Sequence, residues 1–324
     1  MTLNFNEWFI DLVSPGQTRT WDQRVNWVYY NDSGAQTPAQ VDAAVNGYYA
    51  SGTHFVDTVP TKSPANDHDG DGIGDISLLY DYGKGSATGC AQNGSARRTA
   101  LFSLSGKADR SGGLGGITPL SDSPCETVSP KFVTSGDFNG DGRSDVAAFY
   151  DYGSTGSTCS PTNHVAIVEW LADPKGNGTL QSPKTVWEST CWGGGTAFLN
   201  SGDFNGDSKS DLALLYDYGA GHVSLLTLNA NPNGSGGFGG LVPRWDGTRW
   251  GAGTKFMTTG DYNGDGKSDI ALFKDYGASG ATCAGNAHQA ISTLTADPYG
   301  TGALHSPATA WESTCWGGGT AFMN

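Results

Sequence analysis

One nine-residue pattern occurs four times in this chain and constrains its architecture more than any other feature. The pattern reads Asp-x-Asp/Asn-Gly-Asp-x-x-x-Asp, and its copies occupy 67–75, 137–145, 203–211 and 261–269. Each copy is followed by a short apolar run that ends in Asp-Tyr-Gly. Short apolar runs that a glycine terminates are typical of strands buried on both faces. The chain therefore consists largely of repeated β-structure.

The rest of each unit repeats as well. In the last three units a second apolar stretch leads into an Asp-Pro or Asn-Pro turn closed by glycine, and a Gly-Thr-x-Phe segment or a relative of it ends each unit. This arrangement gives about four short strands per ~65 residues without helical periodicity, which favours an all-β fold, a β-propeller of about four blades. We expect the segment Thr320–Met323 to close the ring beside the first Asp loop. The alternative is a truncated array.

Residues 1–60 differ from the repeats and predict a small N-terminal α/β segment. Thr37 is predicted to be the N-cap of a helix over 38–50, and apolar stretches flank this helix. This strand–helix–strand segment is interpreted as a cap or as the tail of another domain. The repeat region then spans 61–324.

The Asp loops predict calcium sites. Asp or Asn at loop positions 1, 3, 5 and 9, with a backbone carbonyl at position 7, offers the oxygen ligands that a hard cation prefers. We expect about four structural Ca²⁺ ions; Mg²⁺, which keeps its waters, and plain turn formation are the alternatives. Ser208 replaces a turn glycine, so the third loop should bind more weakly. The predicted ligands are Asp67, Asp69, Asp71, Ile73 and Asp75; Asp137, Asn139, Asp141, Arg143 and Asp145; Asp203, Asn205, Asp207, Lys209 and Asp211; and Asp261, Asn263, Asp265, Lys267 and Asp269.

With its following apolar strand, the loop Asp-Phe-Asn-Gly-Asp-Gly-x-Ser-Asp resembles the FG-GAP/VCBS repeat of integrin-α-like propellers and of some lectins. The resemblance covers residues 65–324. It implies a calcium-bound propeller, commonly extracellular, that serves adhesion or carbohydrate binding. The chain lacks the family's Gly-Ala-Pro element and has four repeats where seven are usual.

The six cysteines fall at one pair per unit, and the third unit lacks both members. Joint loss is what paired residues predict, and disulfides indicate an oxidising compartment. We expect secretion, although no signal peptide is visible at the start of this sequence. The predicted pairs are Cys90 with Cys125, Cys159 with Cys191, and Cys283 with Cys315.

Repeated aromatic and histidine positions are candidates for ligand contact, since flat rings beside Gly-rich turns suit sugar rings. The alternative is that these side chains have a structural role and pack between blades. The candidates are Trp187, Trp192, Trp245, Trp250, Trp311, Trp316, Tyr152, Tyr218, Tyr276, His164, His222 and His288.

The charge balance argues against nucleic acid as a partner. The chain has 18 Lys and Arg against 32 Asp and Glu, a net charge of -14, whereas phosphate binding needs basic side chains. No apolar run reaches the ~18 residues of a membrane helix, and no hydrolase or nucleotide-binding motif occurs. The oligomeric state is not indicated.

The sequence thus predicts a secreted, calcium-stabilised binding module for a glycan or glycoprotein. Two other hypotheses stay open. The propeller could be the targeting module of a secreted hydrolase whose tail is 1–60, or it could be a purely structural or adhesive protein.

Overall fold

The computed structural model describes residues 37, 39–40, 43, 46–47, 66–85, 96–109, 111–159, 162–248, 250, 253–317 and 320. The chain divides into two compact units, Met1–Pro60 and Thr61–Asn324.

In the first unit the described residues after Thr37 are helical. Thr37 and Gln40 form a reciprocal cap: the Thr37 N–H donates to Gln40 Oε1 at 2.8 Å, and the Gln40 N–H donates to Thr37 Oγ1 at 3.4 Å. The predicted N-cap is confirmed. The strands predicted around it lie outside the described residues.

The second unit is built from four antiparallel sheets, each of which is one propeller blade. The first described sheet has three strands, and the others have four. Blade 1 consists of β1 (Ile76–Lys84), β2 (Arg97–Gly106) and β3 (Leu114–Glu126). Blade 2 consists of β4 (Phe132–Gly136), β5 (Asp145–Asp151), β6 (Asn163–Trp170) and β7 (Lys184–Trp192). Blade 3 consists of β8 (Thr196–Gly202), β9 (Asp211–Gly219), β10 (His222–Leu228) and β11 (Val242–Gly247). Blade 4 consists of β12 (Thr254–Gly260), β13 (Asp269–Asp275), β14 (Ala287–Leu294) and β15 (Ala308–Trp316).

The apolar runs are buried on both faces, as their composition predicts. On β5, Ala147 and Phe149 belong to the core between blades 2 and 3, whereas Val146, Ala148 and Tyr150 face the core shared with blade 1. The same alternation on β9 divides its side chains between blades 2 and 4. Each such fully buried aliphatic or aromatic side chain contributes roughly 1.5–3 kcal/mol. Blade-to-blade burial therefore provides the main core of the propeller.

The strand that ends each sequence repeat begins the following sheet. β8 pairs with β9 and not with β7, and β4, β8 and β12 lie side by side as the innermost strands. Hydroxyl groups join them: Ser201 Oγ donates to the Ser135 carbonyl at 2.6 Å, and Thr259 Oγ1 donates to the Ser201 carbonyl at 2.7 Å. The described part of blade 1 has no such inner strand. The segment predicted to close the ring lies, apart from Thr320, outside the described residues.

Candidate functional site

The Asp loops and the Asp-Tyr-Gly turns lie at opposite ends of the blades. In each of the three four-stranded blades, the Asp loop joins the first strand to the second, and the Asp-Tyr-Gly turn lies where the second strand leads into the third. Successive connections in an antiparallel sheet lie at opposite ends. The structure therefore separates the predicted metal ligands from most of the predicted ligand-contact residues, and we call these two ends the loop face and the aromatic face.

On the loop face, the first Asp of each loop organises the turn. Asp137 Oδ1 accepts the N–H groups of Gly140 at 2.6 Å and Asp141 at 3.0 Å, and Oδ2 accepts that of Gly142 at 2.8 Å. Asp203 and Asp261 make the same three bonds. The turn glycines have positive φ, and Ser208 takes φ 68° in the third loop. Ser208 thus takes the positive φ of the glycine it replaces, and the weaker binding expected of the third loop stays a prediction.

The last Asp of each loop has both carboxylate oxygens bonded to backbone. Asp145 Oδ2 accepts from the N–H of Phe138 at 2.9 Å, and Oδ1 accepts from that of Ala172 at 2.7 Å. Equivalent pairs of bonds occur at Asp75, Asp211 and Asp269. A carboxylate oxygen has two lone-pair sites, so these bonds leave acceptor capacity for a cation.

Burial is the main cause of the raised pKa values of three loop carboxyl groups. It raises the pKa of Asp145 to about 8 and that of Asp211 to about 7, and the neighbouring loop carboxylates add to both shifts. Burial also raises the pKa of Asp69, and repulsion from Asp71, Asp75 and Asp67 adds to that shift. A bound cation would favour the charged form of each group.

The donor set fits a hard cation best in the first loop. Asp67, Asp69 and Asp71 each offer a carboxylate oxygen, and these three atoms lie within 4.8 Å of one another. In the other loops Asn occupies position 3, and the basic residue at position 7 faces the position-5 carboxylate: Arg143–Asp141 at 3.4 Å, Lys209–Asp207 at 3.9 Å and Lys267–Asp265 at 3.8 Å. The donors are all oxygens, which suits Ca²⁺. The first loop, with four carboxylates and Ile73 at position 7, has the greatest need for a cation.

On the aromatic face, three blades carry the same Tyr–His–acid cluster. His164 stacks on Tyr152 with ring centroids 4.7 Å apart, and its Nε2 lies 2.6 Å from Glu188 Oε1. Blade 3 joins Tyr218, His222 and Asp246, and blade 4 joins Tyr276, His288 and Glu312.

Blade 1 replaces the histidine of this cluster with Arg98. The Arg98 guanidinium lies 4.7 Å from the centroid of Tyr82, and it bonds Asp122 at 2.5 Å. The four acids and the arginine are not among the site residues predicted from the sequence. A constant separation of 24 residues between cation and acid was the signal that could have revealed them.

The predicted tryptophans form three edge-to-face pairs, with ring centroids 5.3, 4.8 and 5.2 Å apart. Trp192 also contacts Tyr216 of the next blade edge-to-face at 5.2 Å, and Lys274 of the next blade lies 3.9 Å over the ring of Trp250. The pairs Trp187–Trp192 and Trp245–Trp250 pack against the cores between blades. Trp311 and Trp316 are 36% and 46% exposed, so they are the tryptophans of this set best placed to meet a ligand.

The disulfides lie beside these clusters. Cys159 pairs with Cys191, and Cys283 pairs with Cys315, as predicted. Cys125 is also disulfide-bonded, and its predicted partner Cys90 lies outside the described residues. Among the described residues, no helix is long and apolar enough to cross a membrane.

This fold and its loops define a β-propeller with repeated, oxygen-rich Asp loops. Residues 132–160 match the FG-GAP repeat family, so the chain carries an FG-GAP repeat that begins at the inner strand of blade 2 and includes its Asp loop. The resemblance seen in the sequence is confirmed for this segment.

No curated protein matches the chain. Among solved structures, the chain is similar to the crystal structure of the exotype rhamnogalacturonan lyase YesX, with a TM-score of 0.34 and 15% identity. The similarity covers 74% of this chain and 48% of that one, so this chain spans about half the length of its neighbour. A likeness of this extent does not identify an activity.

Proposed function

We propose that this protein is a secreted, calcium-stabilised binding module that recognises a glycan or glycoprotein through its aromatic face. The observation that carries the proposal is the repeated cluster at one end of every blade. The three acids bonded to histidine, Glu188, Asp246 and Glu312, keep side-chain exposures of 53, 53 and 52%. Half-exposed carboxylates accept hydrogen bonds from hydroxyl groups, and aromatic rings beside them offer apolar contact.

The clusters recur at equivalent positions on neighbouring blades, so the face offers several similar contacts to a repetitive ligand. Weak contacts that act together give a large gain in affinity when their spacing suits the ligand. Tyr218 and Tyr276 are 55% and 38% exposed and belong to two different clusters. Several equivalent sites suit a polymer of similar sugar units better than a single small molecule.

Calcium has a supporting role in this proposal, since the predicted sites lie on the opposite face. Bound Ca²⁺ would neutralise the loop carboxylates and hold the connection between the inner strand and the second strand of a blade. The residues that would hold it are those at loop positions 1, 3, 5, 7 and 9. If free calcium is 100 times the Kd, each site stabilises the fold by about 2.7 kcal/mol. The melting temperature should therefore fall when calcium is chelated, and elemental analysis should find bound calcium before chelation.

The disulfides support the secreted location, because such bonds persist in oxidising compartments. The hypothesis of a hydrolase targeting module concerns residues 1–60, of which the structure describes a few helical positions, and it stays a prediction.

A glycan array on the calcium-loaded protein tests the proposal. Trp316→Ala should weaken glycan binding at least tenfold while the melting temperature stays within a few degrees of wild type, because the ring is exposed. Trp192→Ala is the matched control: its ring packs between blades, so the substitution should lower stability by about 2–4 kcal/mol. An array without a calcium-dependent signal, or Trp316→Ala binding like wild type, would count against the aromatic face as the glycan site.

A further inference from the structure

Neighbouring Asp loops are joined by a single backbone hydrogen bond that recurs three times. The N–H at loop position 8 donates to the carbonyl at position 1 of the preceding loop. The distances are 2.6 Å for Ser144 to Asp67, 2.6 Å for Ser210 to Asp137 and 2.7 Å for Ser268 to Asp203. These three hydrogen bonds therefore link the loops of four successive blades in series across the loop face.

The position of this bond matters for metal binding. The N–H of position 8 and the C=O of position 7 belong to the same rigid peptide unit. The sequence predicts that the position-7 carbonyl binds the ion of its own loop. The residue that accepts the hydrogen bond is position 1 of the preceding loop, and its side chain is predicted to bind the ion of that preceding loop. One peptide plane thus connects the predicted calcium sites of two neighbouring loops.

The position-7 side chain makes a second link. A Cβ placed on Gly140 would lie 3.2 Å from Lys209 Cγ, and a Cβ on Gly206 would lie 3.3 Å from Lys267 Cε. The basic side chain of one loop therefore lies directly on the position-4 glycine of the loop before it. Arg143 lies on Gly70 in the same way, with Cγ and Nε at 3.3 Å. Each of these side chains also faces its own position-5 carboxylate, so the arrangement of one loop affects the other.

A third link passes through the Asp/Asn-Pro turns. A Cβ on Gly176 would lie 2.9 Å from the Asp69 carbonyl, and one on Gly300 would lie 2.7 Å from the Asn205 carbonyl. The same turns are held by the position-9 carboxylates of their own blade, through Ala172 and Ala296. A position-9 Asp is therefore connected to position 3 of the preceding loop.

Burial of the position-1 residues agrees with these links. Asp67 and Asp203 are 1% and 6% exposed and Asp137 is partly buried, and each of the three contacts the following loop, whereas Asp261, at the end of the described series, is exposed. Ordering one loop thus also provides the packed surface against which the preceding loop is held.

We propose that calcium binds to these loops with positive cooperativity between neighbouring blades, coupled through the position-7/position-8 peptide unit and the basic side chain at position 7. This inference rests on the calcium sites of the proposed function. An ion that orders one loop removes part of the ordering cost of the next, which raises the affinity there. Coupling of this kind changes affinity by about 5-fold or more.

Native mass spectrometry of the full chain during a calcium titration tests the proposal, because it counts the ions on each molecule. Cooperative binding predicts that empty and fully loaded molecules exceed the binomial distribution at half saturation. Unequal but independent sites would shift the distribution in the opposite sense, toward intermediate species. A binomial or intermediate-rich distribution overturns the coupling but leaves the calcium sites in place. Molecules that bind no calcium at all overturn the proposed function itself.

The variant Lys209→Ala tests the route. It keeps the backbone carbonyl and removes the side chain that lies on Gly140, so it should move the distribution toward binomial and weaken the second loop about 5-fold. Lys209→Arg should retain the wild-type distribution.

Lys255→Ala, at an exposed position of β12, removes the same charge elsewhere and controls for net charge. Circular dichroism confirms that each variant is folded. A Lys209→Ala distribution equal to that of wild type would refute the side-chain route, and Lys255→Ala behaving like Lys209→Ala would reduce the effect to net charge.

Discussion

The backbone N–H of Ala172 donates to Asp145 Oδ1 at 2.7 Å and so fixes the Asp-Pro turn of blade 2 to the end of its Asp loop. The other oxygen of Asp145 accepts from Phe138, which places one buried carboxyl group between two connections of the same blade. The last Asp of the loop is therefore a structural hydrogen-bond acceptor as well as a predicted metal ligand. These two roles can be separated by experiment.

Asp145→Asn should destabilise the protein by about 1–3 kcal/mol even in excess chelator. The amide puts a donor where the structure has an acceptor, so one buried backbone N–H loses its partner. Urea denaturation in EDTA measures this difference. Asp141→Asn is the control, since Asp141 is exposed: it should weaken calcium binding and leave the stability in EDTA within about 0.5 kcal/mol of wild type. Equal losses for the two variants in EDTA would refute the separate structural role of position 9.

The architecture can be predicted well from the sequence because the same pattern occurs in four units, and each unit supports the same inference. Buried apolar runs, turn glycines and the joint absence of two cysteines all depend on local chemistry that the residues themselves display. Local chemistry does not identify the partner of His164, because Glu188 lies on the adjacent strand β7 and the pairing depends on the register of the sheet; in the sequence only the recurring separation of 24 residues points to it. The contact of Lys209 with Gly140 was also out of reach, since it depends on how one blade packs on the next.

Ser208→Gly should stabilise the protein by about 1 kcal/mol. Ser208 has φ 68°, a left-handed conformation that costs a residue with a side chain about 1–2 kcal/mol and costs glycine little. The other loops have glycine at this position, with φ between 80° and 85°. Thermal and urea unfolding of the two proteins measure the gain.

Gly142→Ser provides the reciprocal control for this prediction, because it introduces serine at the matching position of the second loop. It should lose about 1 kcal/mol. If serine and glycine are equally stable at both positions, the strain argument for the third loop is wrong.

The Arg97 guanidinium holds the pKa of Asp81 down to about 2, and hydrogen bonds from Ser129 and Gly83 add to this effect. The pKa in the folded state is thus below that of the unfolded chain, which is near 4. The stabilisation by this ion pair is therefore present above pH 4 and is lost as the pH falls through 2. The pair is partly exposed and screened by solvent, so we expect at most about 1 kcal/mol.

Asp81→Asn should accordingly lower stability at pH 6 and have a progressively smaller effect between pH 4 and pH 2. Urea denaturation at several pH values measures the difference between wild type and variant, which cancels the titration of the other acids. Asp217→Asn is the control, because Asp217 accepts the same turn N–H from Gly219 and faces no arginine in the described structure. A difference for Asp81→Asn that is constant from pH 6 to pH 2 would contradict the assigned ion pair.

Ring closure by the C-terminal segment can be tested through the register of the inner strands. Phe132 pairs with Phe149, Phe198 with Leu215 and Phe256 with Phe273, and in each pair the second residue lies four positions after the last Asp of the loop. By the same register, Phe322 should lie opposite Leu79 of β1. The edge of β1 offers apolar side chains for such a partner, since Ile76 and Leu78 are 44% and 42% exposed.

The double variant Leu79→Cys/Phe322→Cys should therefore form an intramolecular disulfide under mild oxidation, because directly opposed residues meet the distance that a disulfide requires. Peptide mapping of the oxidised monomer detects the link. Leu79→Cys/Met323→Cys is the matched control and should not form it, since successive side chains of a strand point to opposite faces. A link found only between two copies of the chain would mean that the edge of β1 pairs with another molecule, and its absence in any form would refute the four-bladed closure.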